Sequence, residues 1–385
     1  MEKIVIVGGG IIGSSIAYYL ARAGAPVTVV EPDPTYEFAA TPRSVGGVRF
    51  LHDIRENVEM SLFGREVFTG FAAQVQGAAV AFDPAWRTVG YLYMVSDAES
   101  ARQLEHSAAM QRACGVEVSL LDRDALRARY PSFRFQDVVA AAWSPQDGQI
   151  DPHAALMGYR RAAEGNGAVY LKDKVVGIGQ GHGRVSGVAL QSGATLNCDI
   201  VVNAANCWAP EICEMAGIKA PIYPMRREQF FFKIQDPIES IPVMREACGF
   251  ALRPERDGYI VARTRPDEKK GFNWTQDHDR FENDLWPGLV ERSSAFEALR
   301  LQNAWVGHYD MSEIDGNPII GECGALRGFH MAAGFSGHGL QHAPAVGRGM
   351  AELLTTGRYE TIDLGPFSYQ RVIEGRPLLD KGPRA

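Results

Sequence analysis

The apolar positions fall into short β-branched runs and helical repeats that alternate along the chain. Lys3-Ile4-Val5-Ile6-Val7 is β-branched and closed by glycines, which predicts a buried parallel strand. Ile12, Ile16, Tyr19 and Ala23 then recur at helical spacing and predict an amphipathic helix. Gly24 is placed for a left-handed cap, and Val27–Val30 predicts a second strand. The three elements make one right-handed βαβ unit. Further on, residues 98–113, 122–130 and 154–165 read as helices, the second stopped at Pro131. Strands are expected at Val175-Val176, Val185–Leu190, Ile200–Val202, Tyr223–Ile234 and Gly258–Ala262, with a hairpin signal at Asp257-Gly258. Residues 266–284 are charged and read as irregular. A loop at 334–342 leads into a helix over Ala343–Thr355. The fold class expected is α/β, a Rossmann-type domain joined to a mixed-sheet α+β domain. No repeat or linker separates the two, so the chain is expected to cross between them more than once.

With 385 residues, 46% of them hydrophobic, the chain can build two ordinary domains around large cores. A net charge of −7 and the lack of a Lys/Arg-rich run argue against a nucleic-acid partner. No apolar run approaches the roughly 20 residues needed to span a bilayer. The six cysteines form no C-x-x-C pair and no metal spacing. They read as free thiols of a reducing compartment, with the cytoplasm as the expected location. Glycine is in excess, at 41 residues against roughly 27 at average usage. Such an excess suits tight turns and close backbone approach to a ligand.

The strongest chemical signal is Gly8-Gly9-Gly10-Ile11-Ile12-Gly13, which follows a strand, opens a helix and precedes a strand ending at Glu31. In this pattern Gly8 allows the turn, Gly10 clears space for a pyrophosphate, and Gly13 lets helix and strand pack closely. The helix N-terminus favours the anion. Glu31 is placed to accept hydrogen bonds from an adenosine ribose, and its charge disfavours a 2′-phosphate. Two distant segments add to this: the strand end Val201–Ala209 and the loop Gly334-Phe335-Ser336-Gly337-His338-Gly339 ahead of a helix.

With Arg43-Ser44-Val45-Gly46-Gly47-Val48-Arg49 and Asp315–Gly321, these motifs resemble the D-amino acid oxidase-like flavoproteins. The likeness is to the branch of sarcosine oxidase, glycine oxidase and dimethylglycine dehydrogenase, and it runs to about Leu364. It implies FAD, held by residues 1–80, 146–220 and 315–385, with residues 81–145 and 221–314 forming the substrate domain. It also implies oxidation of a small amine, an N-substituted or cyclic amino acid. By resemblance, Arg43, Ser44, Gly46 and Gly47 lie along the cofactor, Val175 meets its adenine side, and Ala204 and Trp208 line its channel. Gly334, Ser336, Gly337, His338, Gly339 and Leu340 meet the pyrophosphate or the flavin edge.

The departures from the family pattern carry expectations too. Asn206 replaces the usual glycine in the strand-end motif. Gly307 stands where a cysteine attaches flavin covalently in monomeric sarcosine oxidase, so FAD is expected to be noncovalent. Ile260 falls at the position of the lysine that promotes reaction with oxygen, which favours a dehydrogenase. Gln341 falls at a carboxylate-holding lysine. Arg49 is the leading candidate for the substrate carboxylate, with Arg253 and Arg263 as alternatives. His52 and Tyr309 are expected to shape the amine pocket, and His338 either faces the flavin or caps backbone groups. Trp274, Trp286 and Trp305 read as packing residues. No metal is expected. The partners expected are an amine, an unspecified electron acceptor, and a homo-oligomer or partner subunit. A peroxide-forming oxidase, a flavin hydroxylase and a non-catalytic FAD-holding assembly protein are the rival readings.

Overall fold

Ile4–Val7 is buried at all four positions because it has parallel neighbours on both sides, Val27–Val30 and Ile200–Asn203. This computed structural model describes residues 2–75, 82–324 and 326–379. The boundary expected between residues 80 and 81 lies outside them. The sheet runs Ile319–Glu322, Phe329–Ala333, Ile200–Asn203, Ile4–Val7, Val27–Val30, Val169–Leu171. Only its first pair is antiparallel.

The helix Ile11–Arg22 packs between the helices Pro152–Gly165 and Gly339–Thr356. It is therefore buried almost all round, including Tyr18 and Leu20. The single apolar face expected from Ile12, Ile16, Tyr19 and Ala23 was too narrow: Tyr19 is half-buried and Ala23 is exposed. Gly24 is left-handed, at φ +81°.

A second, eight-stranded sheet runs Leu299–Ser312, Ile222–Ile234, Gly258–Arg263, Phe250–Glu255, Val243–Glu246, Tyr91–Val95, Ala140–Ser144, Ser119–Leu121. It is mixed, since Val243–Glu246 and Tyr91–Val95 run parallel and the other pairs antiparallel. One face is apolar: Leu92, Phe230, Phe232, Met244, Leu252 and Val261 pack with Phe281, Leu285 and Phe296 in one core. Strand alternation sends Arg227, Arg245, Arg253, Ile260 and Tyr309 to the other face.

Three local expectations shift. The hairpin signal at Asp257-Gly258 sits one residue late, because Glu255 pairs with Gly258 and the two-residue turn is Arg256-Asp257. The positive φ is at Arg256. Gly258 is instead required by space, since a Cβ there would lie 2.5 Å from the Phe232 carbonyl oxygen. The segment 266–284 is not irregular throughout. It turns helical from His278, where Phe281 and Leu285 enter the core. The C-terminal helix begins at Gly339, four residues before the expected start.

Candidate functional site

The strand Ile4–Val7 delivers the chain to a glycine turn whose shape is set by backbone contacts. Gly8 is left-handed, at φ +99°, and a Cβ there would lie 2.7 Å from the Ala204 carbonyl oxygen. A Cβ on Gly13 would lie 1.9 Å from the Gly8 carbonyl oxygen. Gly10 differs: its Cβ would meet only Thr41 Oγ1, at 3.8 Å. Two glycines close the turn and the third leaves room at the N-terminus of Ile11–Arg22, where the N-cap Gly10 has no side chain and Thr41 Oγ1 accepts from the Ile11 N–H at 3.3 Å. That cradle suits an anionic group. Glu31 accepts from the Gly9 N–H (2.7 Å) and the Asp33 N–H (2.9 Å). Burial raises its pKa and these two bonds lower it. Asn206 solves its turn without glycine by adopting a left-handed φ of 50°, which asparagine tolerates.

From this turn a cavity of about 470 Å³ extends to the polar face of the eight-stranded sheet. Gly8, Gly10, Ile11, Ile12 and Glu31 line it, with Val175, Ala204 and Trp208. So do Arg43, Ser44, Gly47, Arg49 and Tyr309, and Gly337, Gly339 and Leu340 from the loop and second helix. Gly13, Gly46 and Gly334 are not in its lining. They hold the walls: Gly46 packs its backbone on Ile150, whose N–H donates to Gly46 O at 2.9 Å. The Gly334 and Phe335 N–H groups donate to the buried Asp310 carboxylate at 2.7 and 3.1 Å. Burial pushes Asp310 up to about 6, against those bonds. Arg43 is held by Val306 O (2.7 Å) and Glu37 O (2.7 Å) and stacks on Trp274.

A second cavity of about 230 Å³ adjoins the first through Arg49, which lines both. Ser336, His338 and His52 line this one only. Arg49 donates from its Nη2 to His338 Nε2 at 2.5 Å. Arginine has no acceptor, so His338 accepts and carries its proton on Nδ1. Gln341 bridges the same corner, accepting the Arg49 N–H on Oε1 (2.9 Å) while its Nε2 donates to His52 Nε2 (2.9 Å). His52, His338 and His342 lie with ring centroids 5.2–5.7 Å apart. Burial, and next the Arg49 charge, holds all three below the ordinary histidine range. They are neutral donors and acceptors. Among the described residues no group of these side chains is arranged to hold a metal.

Arg253 and Arg263 line neither cavity. Arg263 pairs with Asp284 at 2.6 Å, and Arg253 donates to Gln149 and sits 3.5 Å from Glu255. Ile260 is buried opposite Arg253 and also lines neither. Two arginines absent from the sequence reading line the first cavity, Arg227 and Arg245. The Arg227 guanidinium lies 4.9 Å from the Tyr309 ring centroid and that of Arg245 5.7 Å from Tyr93. The available signal was period-two alternation: of the adjacent Arg226 and Arg227, the first meets Glu228 and Glu268 on the far face, leaving the second for the cavity.

Residues 3–353 match the family described as FAD dependent oxidoreductase. The chain belongs to that family. It is 32% identical over 423 residues to FAD-dependent oxidoreductase domain-containing protein 1 of Xenopus laevis, covering 98% of this chain and 84% of that one. It is 25% identical to mitochondrial sarcosine dehydrogenase of Homo sapiens over 93% of this chain but only 40% of the relative. The L-proline dehydrogenase structure from P. horikoshii superimposes with a TM-score of 0.87 at 28% identity, covering 98% of this chain and 99% of that one. The flavoprotein fold and the oxidoreductase class of this FAD-dependent enzyme follow. The glycine turn, with its open position at Gly10, fits the cofactor's pyrophosphate.

Proposed function

We propose that this oxidoreductase removes hydride from the carbon beside the nitrogen of a small amino acid, N-substituted or cyclic. The observation that carries the reading is Arg49, which lines the cofactor cavity and forms no ion pair among the described residues. A guanidinium free of a protein carboxylate is suited to a substrate carboxylate in a two-point clamp. Bound FAD supplies the two-electron acceptor; the C–H pair leaves as hydride, the N–H proton is lost, and water converts the imine to a carbonyl compound and an amine. Residues 1–80, 146–220 and 315–385 would hold the cofactor, and residues 81–145 and 221–314 would cover the substrate.

Each side chain has a part in this reading. Gln341 fixes the Arg49 backbone, and neutral His338 holds one guanidinium nitrogen, so the clamp is set before substrate arrives. Tyr309 lies against the backbone of Gly337, where a Cβ would come within 2.5 Å of its ring, and forms a rigid wall. The arginine wall disfavours a second positive charge beside it. It therefore lowers the pKa of a bound ammonium and favours the neutral amine whose lone pair hydride loss requires. Gly307 offers no sulfur for attachment, so the FAD is noncovalent. The free cysteines suit a reducing compartment such as the cytoplasm.

As to the acceptor, the dehydrogenase reading rests on the family resemblance alone, since Ile260 lines neither cavity. Arg227 and Arg245 favour a second reading, a peroxide-forming oxidase, because cations stabilise the superoxide formed first from oxygen. Anaerobic bleaching of the flavin with N-methyl, cyclic and primary amino acids tests the amine reading; a flavin that none of them reduces rejects it. Mixing reduced enzyme with air-saturated buffer or with a quinone-type dye then separates the acceptors. Rapid reoxidation by oxygen with stoichiometric peroxide selects the oxidase.

A further inference from the structure

The sheet wall of the cavity carries more positive charge than one carboxylate requires. Arg49, Arg227 and Arg245 all line it, and none has a carboxylate within ion-pair distance among the described residues. Each also has a buried Nε with no hydrogen-bond partner, as do Arg253 and Arg280, so it is the missing carboxylate that sets the three apart. The other arginines of the same region are committed: Arg226 and Arg280 to Glu228, Arg253 toward Glu255. An uncompensated guanidinium in a partly buried wall is unfavourable unless a ligand answers it. Three of them repel one another. Arg227 sits below the ordinary arginine range, through burial first and with Arg245 among the smaller causes.

The three come from two places. Arg49 follows the short strand Gly47–Val48 and leans on His338 at the start of the C-terminal helix. Arg227 and Arg245 rise from the eight-stranded sheet, each lying over a tyrosine ring, Tyr309 and Tyr93. Stacking fixes a guanidinium plane while leaving edge N–H groups for an anion; Arg227 commits only its Nη1, which donates to Arg226 O at 2.9 Å. One arginine serves an α-carboxylate. Even with a second set against the anionic reduced flavin, one remains.

Resting on the amine-oxidation reading, we infer that the substrate carries two carboxylates: one held by Arg49, the other by the sheet arginines, Arg227 or Arg245, that line the same cavity. The two sources of positive charge on separate elements fit two separated anionic groups better than one dianion such as a phosphate.

The test uses oxidised, FAD-loaded enzyme under anaerobic conditions. Acetate, succinate, glutarate and inorganic phosphate are titrated in, and binding is read from the change in flavin absorbance. The dicarboxylates should bind at least about tenfold tighter than acetate, as expected for one added charge-assisted contact. Arg245→Gln and Arg227→Gln, checked for flavin content and thermal midpoint, should collapse that ratio toward one. A variant-free measurement stands beside it: kcat/KM for N-(carboxymethyl)glycine against N-methylglycine, which differ by one carboxylate, should favour the former. Equal affinity for mono- and dicarboxylates, phosphate binding as tightly as the dicarboxylates, or a ratio unmoved in both variants would overturn the inference. Flavin bleaching by N-methylglycine without dicarboxylate preference sinks the inference alone. If no amine bleaches the flavin, the amine reading falls first.

Discussion

The two ends of the main cavity offer different surfaces to a ligand. At the glycine turn, the surface is backbone: Gly8 and Gly13 bring main-chain atoms together, Gly10 leaves a space, and a helix end faces it. On the eight-stranded sheet, the surface is made by side chains, with Arg227, Arg245 and Tyr309 projecting from strands whose other face is an aromatic core. Backbone recognition fixes one chemistry, because exchanging a side chain cannot retune an N–H group. Side-chain recognition can be changed one residue at a time without disturbing the strand. The glycine turn therefore suits a constant cofactor and the sheet face a variable substrate.

The largest effect that would break this comparison lies within the turn. Gly13→Ala places a methyl 1.9 Å from the Gly8 carbonyl oxygen. It should cost several kcal/mol of stability, as overpacking in rigid cores does, and abolish FAD loading. Gly10→Ala meets nothing closer than 3.8 Å. It should leave the apoprotein's thermal midpoint unchanged and weaken FAD binding by roughly tenfold or more, since the methyl occupies pyrophosphate space. Equal thermal midpoints for the two variants would show that the turn does not divide into a packing glycine and a ligand-facing one.

On the substrate side, Arg49→Ala should lower kcat/KM for a carboxylate-bearing amine by roughly a hundredfold, and Arg49→Lys by less, because a lysine keeps the charge but not the fork. Steady-state kinetics on the substrate identified by flavin bleaching would show it. If both variants keep wild-type efficiency, carboxylate binding belongs to Arg227 and Arg245 alone.

Glu31→Ala should raise the FAD dissociation constant by an amount corresponding to roughly 1.5–3 kcal/mol, the range for hydrogen bonds to a charged group. The structure adds that Glu31 also braces the turn through the Gly9 and Asp33 N–H groups. Glu31→Gln should therefore recover part of the loss. Titration of apoprotein with FAD measures both, and an unchanged constant in Glu31→Ala removes the residue from cofactor binding.

What was legible in the sequence follows the same division. The turn, its helix and Glu31 lie within about thirty residues, so spacing alone carries their geometry. Arg49 was legible by resemblance because it sits in a local motif. Arg227 and Arg245 were not, because lining one cavity depends on strand order: Gly258–Arg263 and Phe250–Glu255 lie between their strands, an arrangement no local pattern announces. Ser336 and His338 were read with the cofactor loop but line the second cavity, since successive residues leaving Gly334 turn to opposite sides. Asp315-Gly316-Asn317 carried the resemblance without revealing its role. Asp315 accepts from Arg371 and from the Leu378 N–H, and Asn317 Nδ2 donates to Leu378 O, so the motif anchors the chain's last described segment.

The smallest effect concerns the corner behind Arg49, the neutral cluster of His52, His338 and His342. Burial pushes His342 down to about 3, with the Arg49 charge adding to it. In the unfolded chain the same ring takes up a proton near pH 6.5. The folded form binds fewer protons, so the stability gained by keeping the ring neutral is present above about pH 6.5 and is lost as pH falls toward 3. Each unit of pH in that window removes at most about 1.4 kcal/mol per histidine. The wild-type curve alone will not display this slope. Burial raises Asp147 to about 7 and Asp310 to about 6, and those carboxyls favour the folded state as acid is added. A difference measurement isolates the histidine: urea unfolding of wild type and His342→Gln at pH 7.5 and pH 5. The stability gap between the two proteins should shrink by about 1–2 kcal/mol at the lower pH, because only the wild type must protonate this ring on unfolding. A gap equal at both pH values would mean that His342 is not held neutral by burial. The account of the corner as an uncharged brace for Arg49 would then fail with it.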